Sequence, residues 1–423
     1  MLTRRRMLAG AGLSANSALA QSAKRENAAP DARFAHLKRR RDEAKPITVE
    51  ERRERIERAH HLMTEGKLDA IGMIGGTSLV YFTNIHWWNS ERFFAMVMPA
   101  RGEPFYVCPA FEEARAREQI ASGPGGSNAQ VLTWQEDEDP YKLFAQGLKQ
   151  RGLATSRLGM EEEIPFVFAD GIAKAAPSLT ISSATPVTAG CRQIKSAHEI
   201  ELMRLASHVT LEAYEAAWKL LRDGMTQNEF AGLVSAAHDK LGFQGGAGVQ
   251  VGEYSANPHG SRKPQVIRQG AILLIDGGCK VEGYQSDISR TFVLGKPTDK
   301  MQRVFEIVDN AQATALKTAR PGVACEAVDH AARQLIEEAG FGPRYRYFTH
   351  RVGHGIGLDG HEWPYLVRGN RLPLQAHMTL SDEPGIYIPG EFGVRLEDDM
   401  HITEDGAELF TPQSPSLEHP FGG

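Results

Sequence analysis

The amino-acid sequence predicts a mixed α/β (α+β) fold with a small N-terminal domain and a larger second domain built from two similar halves. Strand-like and helical segments alternate over residues 46–188. After residue 189, two helical patterns followed by strand-like segments occur twice. Acids lie at matching places in the two halves. Asp276 in the first half corresponds to Glu383 in the second, 107 residues later, and Asp287 corresponds to Glu397, 110 residues later. Such a repeated plan predicts an internal duplication.

The first 45 residues have the features of an export signal and a linker. A basic block, Arg4-Arg5-Arg6, precedes a short apolar stretch, and Ala18-Leu19-Ala20 matches a cleavage site. This order resembles a twin-arginine signal, so residues 1–20 are predicted to direct export, to the periplasm for example. A basic tail on a cytoplasmic protein is the alternative. Residues 21–45 are charged and contain few apolar side chains, which predicts a linker.

The alternation over residues 46–188 predicts a complete small α/β domain. A charged helical pattern runs from Ile47 to Leu62. Short apolar runs, several of them bounded by Gly or Pro, then predict strands. These runs are 68–74, 78–85, 93–100, 104–109, 129–133 and 158–160.

The second domain, residues 189–423, is predicted from its repeated pattern. Helices are expected at 196–222, 226–241, 300–318 and 323–339, and strands at 247–252, 271–277, 284–294, 377–382 and 393–403. If the two halves pack as a pair, the two hairpins that carry acids meet between them.

Composition excludes several classes of protein. Apolar residues make up 41%, and 48 basic against 53 acidic residues give a net charge of −5. A sizeable core is therefore expected, and nucleic acid is not expected as a partner. No membrane span is predicted, because the sequence beyond its N-terminus contains no run of about 18 apolar residues. The four cysteines form no C-x-x-C pair, so they are predicted to be buried side chains and not metal ligands.

Five residues form the predicted metal site. Asp276 follows an apolar strand, where an isolated carboxylate is costly to bury, and Asp287 lies across a predicted hairpin. His354 stands among glycines, Glu383 ends another apolar run, and Glu397 lies in a strand-like segment. Taken singly, each residue could cap a turn or be a satisfied core residue. Together, four carboxylates and one imidazole fit a pair of divalent ions, with Mn²⁺, Co²⁺, Zn²⁺ or Fe²⁺ in agreement with the donor set.

The order of motifs resembles a known superfamily. Arg192-Gln193-Ile194-Lys195-Ser196 and the stretches 275–292, 353–364 and 383–399 are similar to those of the "pita-bread" enzymes, which include Xaa-Pro dipeptidases (prolidases), aminopeptidase P, methionine aminopeptidase and creatinase. The resemblance covers residues 192–410. Residues 46–188 are similar to the creatinase-type domain that precedes the catalytic domain in the Xaa-Pro and creatinase branches.

The resemblance implies a role for each site residue. Asp276, Asp287, His354, Glu383 and Glu397 are implied as metal ligands, with Asp287 and Glu397 bridging two ions, manganese first. Glu383 is also implied as a proton shuttle for a metal-bridging hydroxide. His361 resembles the histidine that steadies the intermediate. His259 resembles a second active-site histidine, although Gly260 follows it where relatives often carry an aromatic residue.

Four further residues are predicted to contact substrate. His350, Arg395 and Tyr387 are expected near the same pocket, with Arg395 anchoring a peptide carboxylate or orienting Glu383. For these three a purely structural role is an equal alternative. Trp88, with Trp87 and Arg92, forms an aromatic patch that could close the pocket of a dimer partner. Packing of both tryptophans at the domain boundary is the alternative.

The predicted activity is hydrolysis of an Xaa-Pro bond in dipeptides or at the N-terminus of short peptides, by a homodimeric, metal-dependent enzyme. The sequence does not separate a dipeptidase from an aminopeptidase. Three alternatives are a metal-dependent lyase for a small zwitterionic substrate, a metal-free hydrolase similar to creatinase, and a binding protein.

Overall fold

A computed structural model describes residues 32–422 of the chain. The predicted export signal, residues 1–20, lies outside the described residues. Across residues 32–422, no helix combines the length and the apolar character that crossing a bilayer requires.

The N-terminal part of the described chain is a six-stranded mixed sheet with helices around it. Its strands are β1 (Ala70–Met73), β2 (Ala95–Pro99), β3 (Phe105–Pro109), β4 (Gln130–Trp134), β5 (Arg157–Met160) and β6 (Thr180–Ser183), in the order β4-β3-β2-β1-β5-β6. Its helices are α1 (Val49–Glu65), α2 (Thr77–Thr83), α3 (Glu113–Ala121), α4 (Pro140–Gln150), α5 (Phe166–Ala175) and α6 (Thr185–Arg192). Strands β1 to β3 are buried along their whole length, which explains their unbroken apolar runs.

One predicted strand is wrong. Residues 78–85 form most of helix α2, which begins after Gly76 and is capped by Asn84 in the left-handed conformation. Nearly all of its residues are buried, so the run shows neither the period of a strand nor that of a helix. The glycine before it and the asparagine after it are the local signals for a short helix.

The first half of the second domain is a helix pair packed on an antiparallel sheet. Helices α7 (Ala197–Trp218) and α8 (Gln227–Leu241) both begin with capping boxes, Ser196 with Glu199 and Thr226 with Glu229. The sheet has the order β10-β8-β7, from β7 (Gly245–Val251), β8 (Ile272–Val281) and β10 (Ile288–Val293), and the short β9 (Tyr284–Gln285) pairs with β8.

The second half repeats this plan. Helices α9 (Asp299–Thr318) and α10 (Cys325–Ile336) precede a five-stranded sheet with the order β12-β11-β13-β16-β17 and a separate β14-β15 hairpin. These strands are β11 (Gly353–Gly355), β12 (Glu362–Leu366), β13 (Thr379–Asp382), β14 (Gly385–Ile388), β15 (Phe392–Arg395), β16 (Asp398–Ile402) and β17 (Ala407–Leu409). The two halves have separate apolar cores, as a duplicated architecture requires.

Two predicted strands are interrupted, each at an acid of the predicted site. The run 284–294 divides into β9 and β10, with Asp287 between them, and the run 393–403 divides into β15 and β16, with Glu397 between them. Glu397 instead forms an isolated bridge with Ser289, which links the two halves. Both acids therefore lie where a strand leaves one ladder and enters another.

Residues 32–45, inside the segment predicted as a linker, pack on the second domain. Phe34 is 0% exposed and Leu37 7%, and both belong to the apolar core that contains Phe230 of α8. The Arg40 N–H donates to the Leu241 carbonyl. Two apolar side chains suffice to dock a segment that the composition alone describes as charged, so the linker prediction is wrong for this part.

Candidate metal centre

The first half contributes Asp276 and Asp287. Asp276 lies on the central strand β8, opposite Ser289 of β10, and the Ser289 hydroxyl donates to its Oδ1 at 3.0 Å. Asp287 follows β9, and its backbone N–H donates to Asp399 Oδ2 at 3.1 Å. Gly278 permits this hairpin to close, because a Cβ there would lie 1.8 Å from the Ser286 carbonyl oxygen.

The second half contributes His354, Glu383 and Glu397. His354 is buried on β11, with Nε2 3.4 Å from Glu383 Oε1. Glu383 follows β13 directly, and its N–H donates to the Val352 carbonyl. The Ser289 hydroxyl is 2.6 Å from Glu397 Oε2. Each of these residues is therefore held in place by a strand, by the end of a strand, or by pairing with a strand of the other half.

The structure brings all five predicted ligands together. Within each of three groups, one ligand atom from every residue lies within 4.8 Å of the others. The groups are Asp276, Asp287 and Glu397; His354, Glu383 and Glu397; and Asp287, His354 and His361. Asp287, His354 and Glu397 each belong to two of the groups, so the three groups form one continuous cluster.

The electrostatics of the cluster favour cations. Burial, and then the charges of Asp276 and Asp399, raise the pKa of Asp287 well above its usual range. Burial, and then the charge of Asp287, raise the pKa of Glu397 well above its usual range. Burial also raises the pKa of Glu383 to about 7. Carboxylates this crowded are costly to ionise together, and a pair of divalent ions would neutralise them, so the residues fit the implied metal pair.

Arg395, Tyr387 and His350 form a hydrogen-bonded chain beside the ligands. Arg395 is 3% exposed and pairs with Asp276 at 2.6 Å. Its guanidinium also donates to Ser289 Oγ at 2.9 Å and to the Tyr387 hydroxyl at 3.0 Å. The Tyr387 hydroxyl is in turn 2.7 Å from His350 Nε2. Arg395 thus supports Asp276 directly, where the sequence predicted a peptide anchor or a partner of Glu383.

His361 and His259 lie at the open side of the cluster. The His361 ring stacks on His354 with 3.7 Å between ring centroids, and Arg351 donates to its Nδ1 at 3.3 Å. Partial burial, and then the charges of Arg351 and His259, lower the pKa of His361. His259 is exposed and follows Pro258, whose carbonyl accepts a hydrogen bond from Arg395 at 3.1 Å, so its loop borders the cluster.

The local backbone conformation explains why a glycine follows His259. Gly260 has φ of +81°, and a Cβ there would lie 2.1 Å from the Gln250 side chain. The positive φ would strain a larger residue, and the Gln250 side chain would also have to move. The backbone conformation at position 260 therefore accounts for the glycine after His259.

The two tryptophans of the aromatic patch have different environments. Trp87 is 9% exposed and stacks on Phe94 with 3.9 Å between ring centroids, so it belongs to the core of the N-terminal sheet. Trp88 is 79% exposed, and Arg92 pairs with Glu136 at 2.9 Å. The prediction that Trp87 closes the pocket of a dimer partner is wrong. The alternative that both tryptophans pack at the domain boundary is also wrong, because Trp88 is exposed.

Three residues of the site were not predicted. Ser289 joins Asp276 to Glu397, Asp399 accepts from the Asp287 N–H, and Arg351 contacts His361. A signal exists for the first two. Ser289 follows Asp287 by two residues and Asp399 follows Glu397 by two, which puts each pair on one face of an extended segment.

Comparison with known proteins agrees with this geometry. Residues 201–404 match the model of metallopeptidase family M24, and residues 55–194 match the creatinase/prolidase N-terminal domain. The putative dipeptidase YkvY of Bacillus subtilis is 32% identical over 367 residues, which cover 86% of this chain and 99% of the relative. The Xaa-Pro dipeptidase of Lactobacillus delbrueckii subsp. lactis is 32% identical over 374 residues, covering 86% and 98%.

Solved structures give the same result. Dipeptidase PepE from Mycobacterium ulcerans is 32% identical, with a TM-score of 0.83 and coverage of 88% of this chain and 99% of that chain. Prolidase from Thermococcus sibiricus is 30% identical, with a TM-score of 0.76 and coverage of 85% and 96%. The pita-bread fold is thereby confirmed, and the lyase alternative is not favoured. The chain belongs to metallopeptidase family M24 and is a metal-dependent peptidase with a creatinase/prolidase-type N-terminal domain.

Proposed function

We propose that this enzyme hydrolyses Xaa-Pro dipeptides with two divalent ions held by Asp276, Asp287, His354, Glu383 and Glu397. The convergence of these five side chains is the observation that carries the proposal. An oxygen-rich site with one imidazole suits Mn²⁺ first, with Co²⁺, Zn²⁺ and Fe²⁺ as alternatives. Relatives named as Xaa-Pro dipeptidases and prolidases support this substrate and favour the dipeptide over longer peptides.

The protein side chains supply the remaining chemistry. A bound pair of divalent ions would acidify a water molecule and polarise the scissile carbonyl. Glu383, whose carboxylate lies 3.4 Å from His354 Nε2 within the cluster, holds and moves a proton. His361, held against His354, donates to the developing oxyanion. His259 at the pocket edge serves the departing nitrogen, which becomes basic once released.

The test compares two substrates and two metal states. Ala-Pro and Ala-Pro-Ala are incubated with Mn²⁺-loaded and with chelated enzyme, and Asp287→Asn serves as the variant that lacks a ligand. We expect metal-dependent cleavage confined to Ala-Pro. Cleavage of the tripeptide instead would identify an aminopeptidase. If neither peptide is cut while two ions stay bound, the Xaa-Pro proposal fails.

We also propose export of the enzyme through its N-terminal segment. The support is sequence order alone, with Arg4-Arg5-Arg6 before an apolar stretch and a cleavage motif. Cell fractionation of the full chain against an Arg4→Lys/Arg5→Lys double variant tests this. Retention of the double variant in the cytoplasm is expected, whereas equal distribution of both chains would refute the proposal.

A homodimer is proposed on the basis of exposed aromatic surface. Trp88 is 79% exposed and Phe111 64%, and the Arg92 guanidinium lies 5.3 Å from the Phe111 ring centroid. Exposed aromatic residues beside arginine are typical of protein interfaces. Sedimentation analysis of the enzyme and of Trp88→Ala is expected to show a dimer that the substitution weakens. A monomeric enzyme would refute the proposal.

A further inference from the structure

The loop that carries His361 is held by contacts from both domains. This segment, the His361 loop, comprises residues 356–361 between the end of β11 and the start of β12. Its Leu358 side chain packs against the core of the N-terminal sheet and against the core of the first half of the second domain. The Gln285 side chain donates to the Leu358 carbonyl at 2.6 Å, and the Gln285 N–H donates to the Gly357 carbonyl at 2.8 Å. The N-terminal domain therefore helps to hold a histidine of the metal centre.

Asp359 joins the His361 loop to the N-terminal domain. The hydroxyl of Thr77, the first residue of helix α2, donates to Asp359 Oδ1 at 2.6 Å. The other carboxylate oxygen, Oδ2, accepts a hydrogen bond from the guanidinium of Arg192, the last residue of helix α6. Asp359 is two residues from His361, so both contacts restrain the backbone next to the histidine.

Glu362, the residue after His361, is held by the segment that connects the two domains. Its carboxylate accepts hydrogen bonds from Lys195 Nζ at 2.6 Å and from Arg192 Nη2 at 2.6 Å. Lys195 is 3% exposed and Glu362 6%, so their separation would leave unpaired charges in the interior. Both basic residues belong to the motif 192–196, whose role the metal centre alone does not explain.

The His361 side chain itself is exposed and makes few contacts. Its ring stacks on His354, and its Nδ1 accepts a hydrogen bond from Arg351 at 3.3 Å, which leaves Nε2 as the nitrogen that can donate. A donor to a developing oxyanion must be placed to within about 0.5 Å. The contacts of Asp359 and Glu362, on either side of the histidine, are therefore needed to place the ring.

We propose that Thr77 and Arg192 of the N-terminal domain are positioning residues for His361 and act through Asp359. This inference rests on the proposed Xaa-Pro activity, in which His361 donates to the developing oxyanion. It gives the N-terminal domain a part in catalysis within its own chain, separate from any contact between subunits. Neither residue has to touch the substrate, because each restrains the His361 loop and the loop holds the ring.

Thr77 offers the mildest perturbation of this contact. Thr77→Val keeps the shape of the side chain and removes one hydrogen bond, so it frees the loop without removing any group from the pocket. Because a displacement of about 1 Å at a reacting centre can cost about 100-fold in rate, we expect kcat for Ala-Pro to fall by about 3- to 30-fold. KM should change by less than about 2-fold, since a donor to the oxyanion acts in the transition state.

The first experiment measures kcat and KM of the Mn²⁺-loaded enzyme for Ala-Pro in variants of the two partners. Thr77→Ser keeps the hydroxyl, so it should retain the kcat of the unmodified enzyme. The double variant Thr77→Val/Asp359→Ala should lose no more activity than Asp359→Ala alone, because both substitutions break the same contact. An equal fall in Thr77→Val and Thr77→Ser, or a loss confined to KM, would overturn the inference.

A second comparison shows whether Thr77 acts through His361. In an enzyme that carries His361→Ala, Thr77→Val should have no further effect on kcat, because groups that act as a unit are not additive. A full additional loss would mean that Thr77 affects the centre by another route, and this would overturn the inference. If His361→Ala is inactive, the change in kcat against KM and the rescue by Thr77→Ser decide.

A matched control lies elsewhere in the second domain. Thr403, on the turn between β16 and β17, is half-buried like Thr77, and its hydroxyl donates to Asp405 Oδ1 at 3.2 Å. Thr403→Val therefore removes a hydrogen bond of the same kind outside the His361 loop, and it is expected to keep kcat. Metal content and the thermal midpoint of each variant report whether the centre is intact.

Hydrogen exchange of the His361 loop tests the contact without any substrate. In the Mn²⁺-loaded enzyme, Thr77→Val should speed the exchange of the amides of residues 356–361, and Thr403→Val should not. Unchanged exchange in Thr77→Val would overturn the inference. Failure of the unmodified, metal-loaded enzyme to cleave Ala-Pro would instead refute the Xaa-Pro activity, and the exchange result would then decide whether Thr77 positions the loop.

Discussion

The buried carboxyl of Asp399 should make the stability of the metal-free enzyme depend on pH. Its Oδ2 accepts hydrogen bonds from the Asp287 N–H at 3.1 Å and from the Ser207 hydroxyl at 2.9 Å. Its Oδ1 is buried without a hydrogen-bond partner among the described residues. Burial raises the pKa of Asp399 to about 8. The side chain therefore carries a proton at neutral pH in the folded protein and loses it in the unfolded chain.

The sign and size of the effect follow from this difference. Between the unfolded pKa of about 3.9 and the folded value, the folded state binds more protons, so the free energy of unfolding falls as pH rises. Integrating the bound proton from about pH 6.5 to about pH 8.5 gives a loss of about 2 kcal/mol. The Asp399→Asn variant carries an amide that cannot ionise, so it should not lose this amount. Subtracting the two pH curves removes the contributions of groups that Asp399 does not influence, and the difference then reports Asp399 together with Asp287, whose pKa it raises.

The assay is thermal unfolding of chelated protein across this pH range. Asp399→Asn keeps an oxygen that can accept both hydrogen bonds, so it isolates the charge. The midpoint of the unmodified enzyme should fall further than that of the variant, by about 2 °C if about 2 kcal/mol is lost from a chain of this length. Parallel curves, or a relative gain by the unmodified enzyme at high pH, would refute the reasoning.

Four other substitutions test three separate parts of the structure. Asp287→Asn should abolish activity and reduce the number of bound ions, as measured by plasma emission spectroscopy, because this side chain belongs to two of the ligand groups; retention of both would contradict the site. Phe34→Ala should cost about 3–5 kcal/mol in chemical unfolding, because the ring is fully buried on the second domain, and it should leave KM unchanged. Trp87→Ala should lower the free energy of unfolding by about 3–5 kcal/mol, whereas Trp88→Ala should change it by no more than about 0.5 kcal/mol. Equal values would contradict the different burial of the two side chains.

The grouping of the predicted ligands could be anticipated because Asp276, Glu383 and His354 each carry a local signal. Asp276 and Glu383 end or interrupt apolar runs where an unpaired carboxylate would be unfavourable. His354 lies among glycines, and its β11 backbone pairs closely with neighbouring strands. The helices around the site were predictable for a similar reason, since Ser196 with Glu199 and Thr226 with Glu229 mark two of their starts.

Other features depend on contacts between distant segments and leave little local signal. Residues 78–85 are buried on several sides, so their apolar run does not distinguish a helix from a strand. Phe34 docks only because α8 offers an apolar surface about 200 residues later in the chain. The contact between Arg351 and His361 is set by the fold, and no sequence pattern indicates it.

The junction between the two halves explains how the fold can hold an unfavourable cluster of acids in register. Ser289 and Arg290 are neighbours on β10 and point to opposite faces. On one face Ser289 contacts Glu397, and on the other Arg290 pairs with the fully buried Asp398 at 2.7 Å and donates to the Glu397 carbonyl at 2.9 Å. A buried ion pair adds little net stability, yet it strongly disfavours any arrangement that separates its partners. A slip of one residue between the halves would leave Arg290 and Asp398 unpaired and would also turn Glu397 away from Asp276 and Asp287. The ion pair behind the site thus fixes the position of Glu397, the predicted ligand at the junction of the two halves.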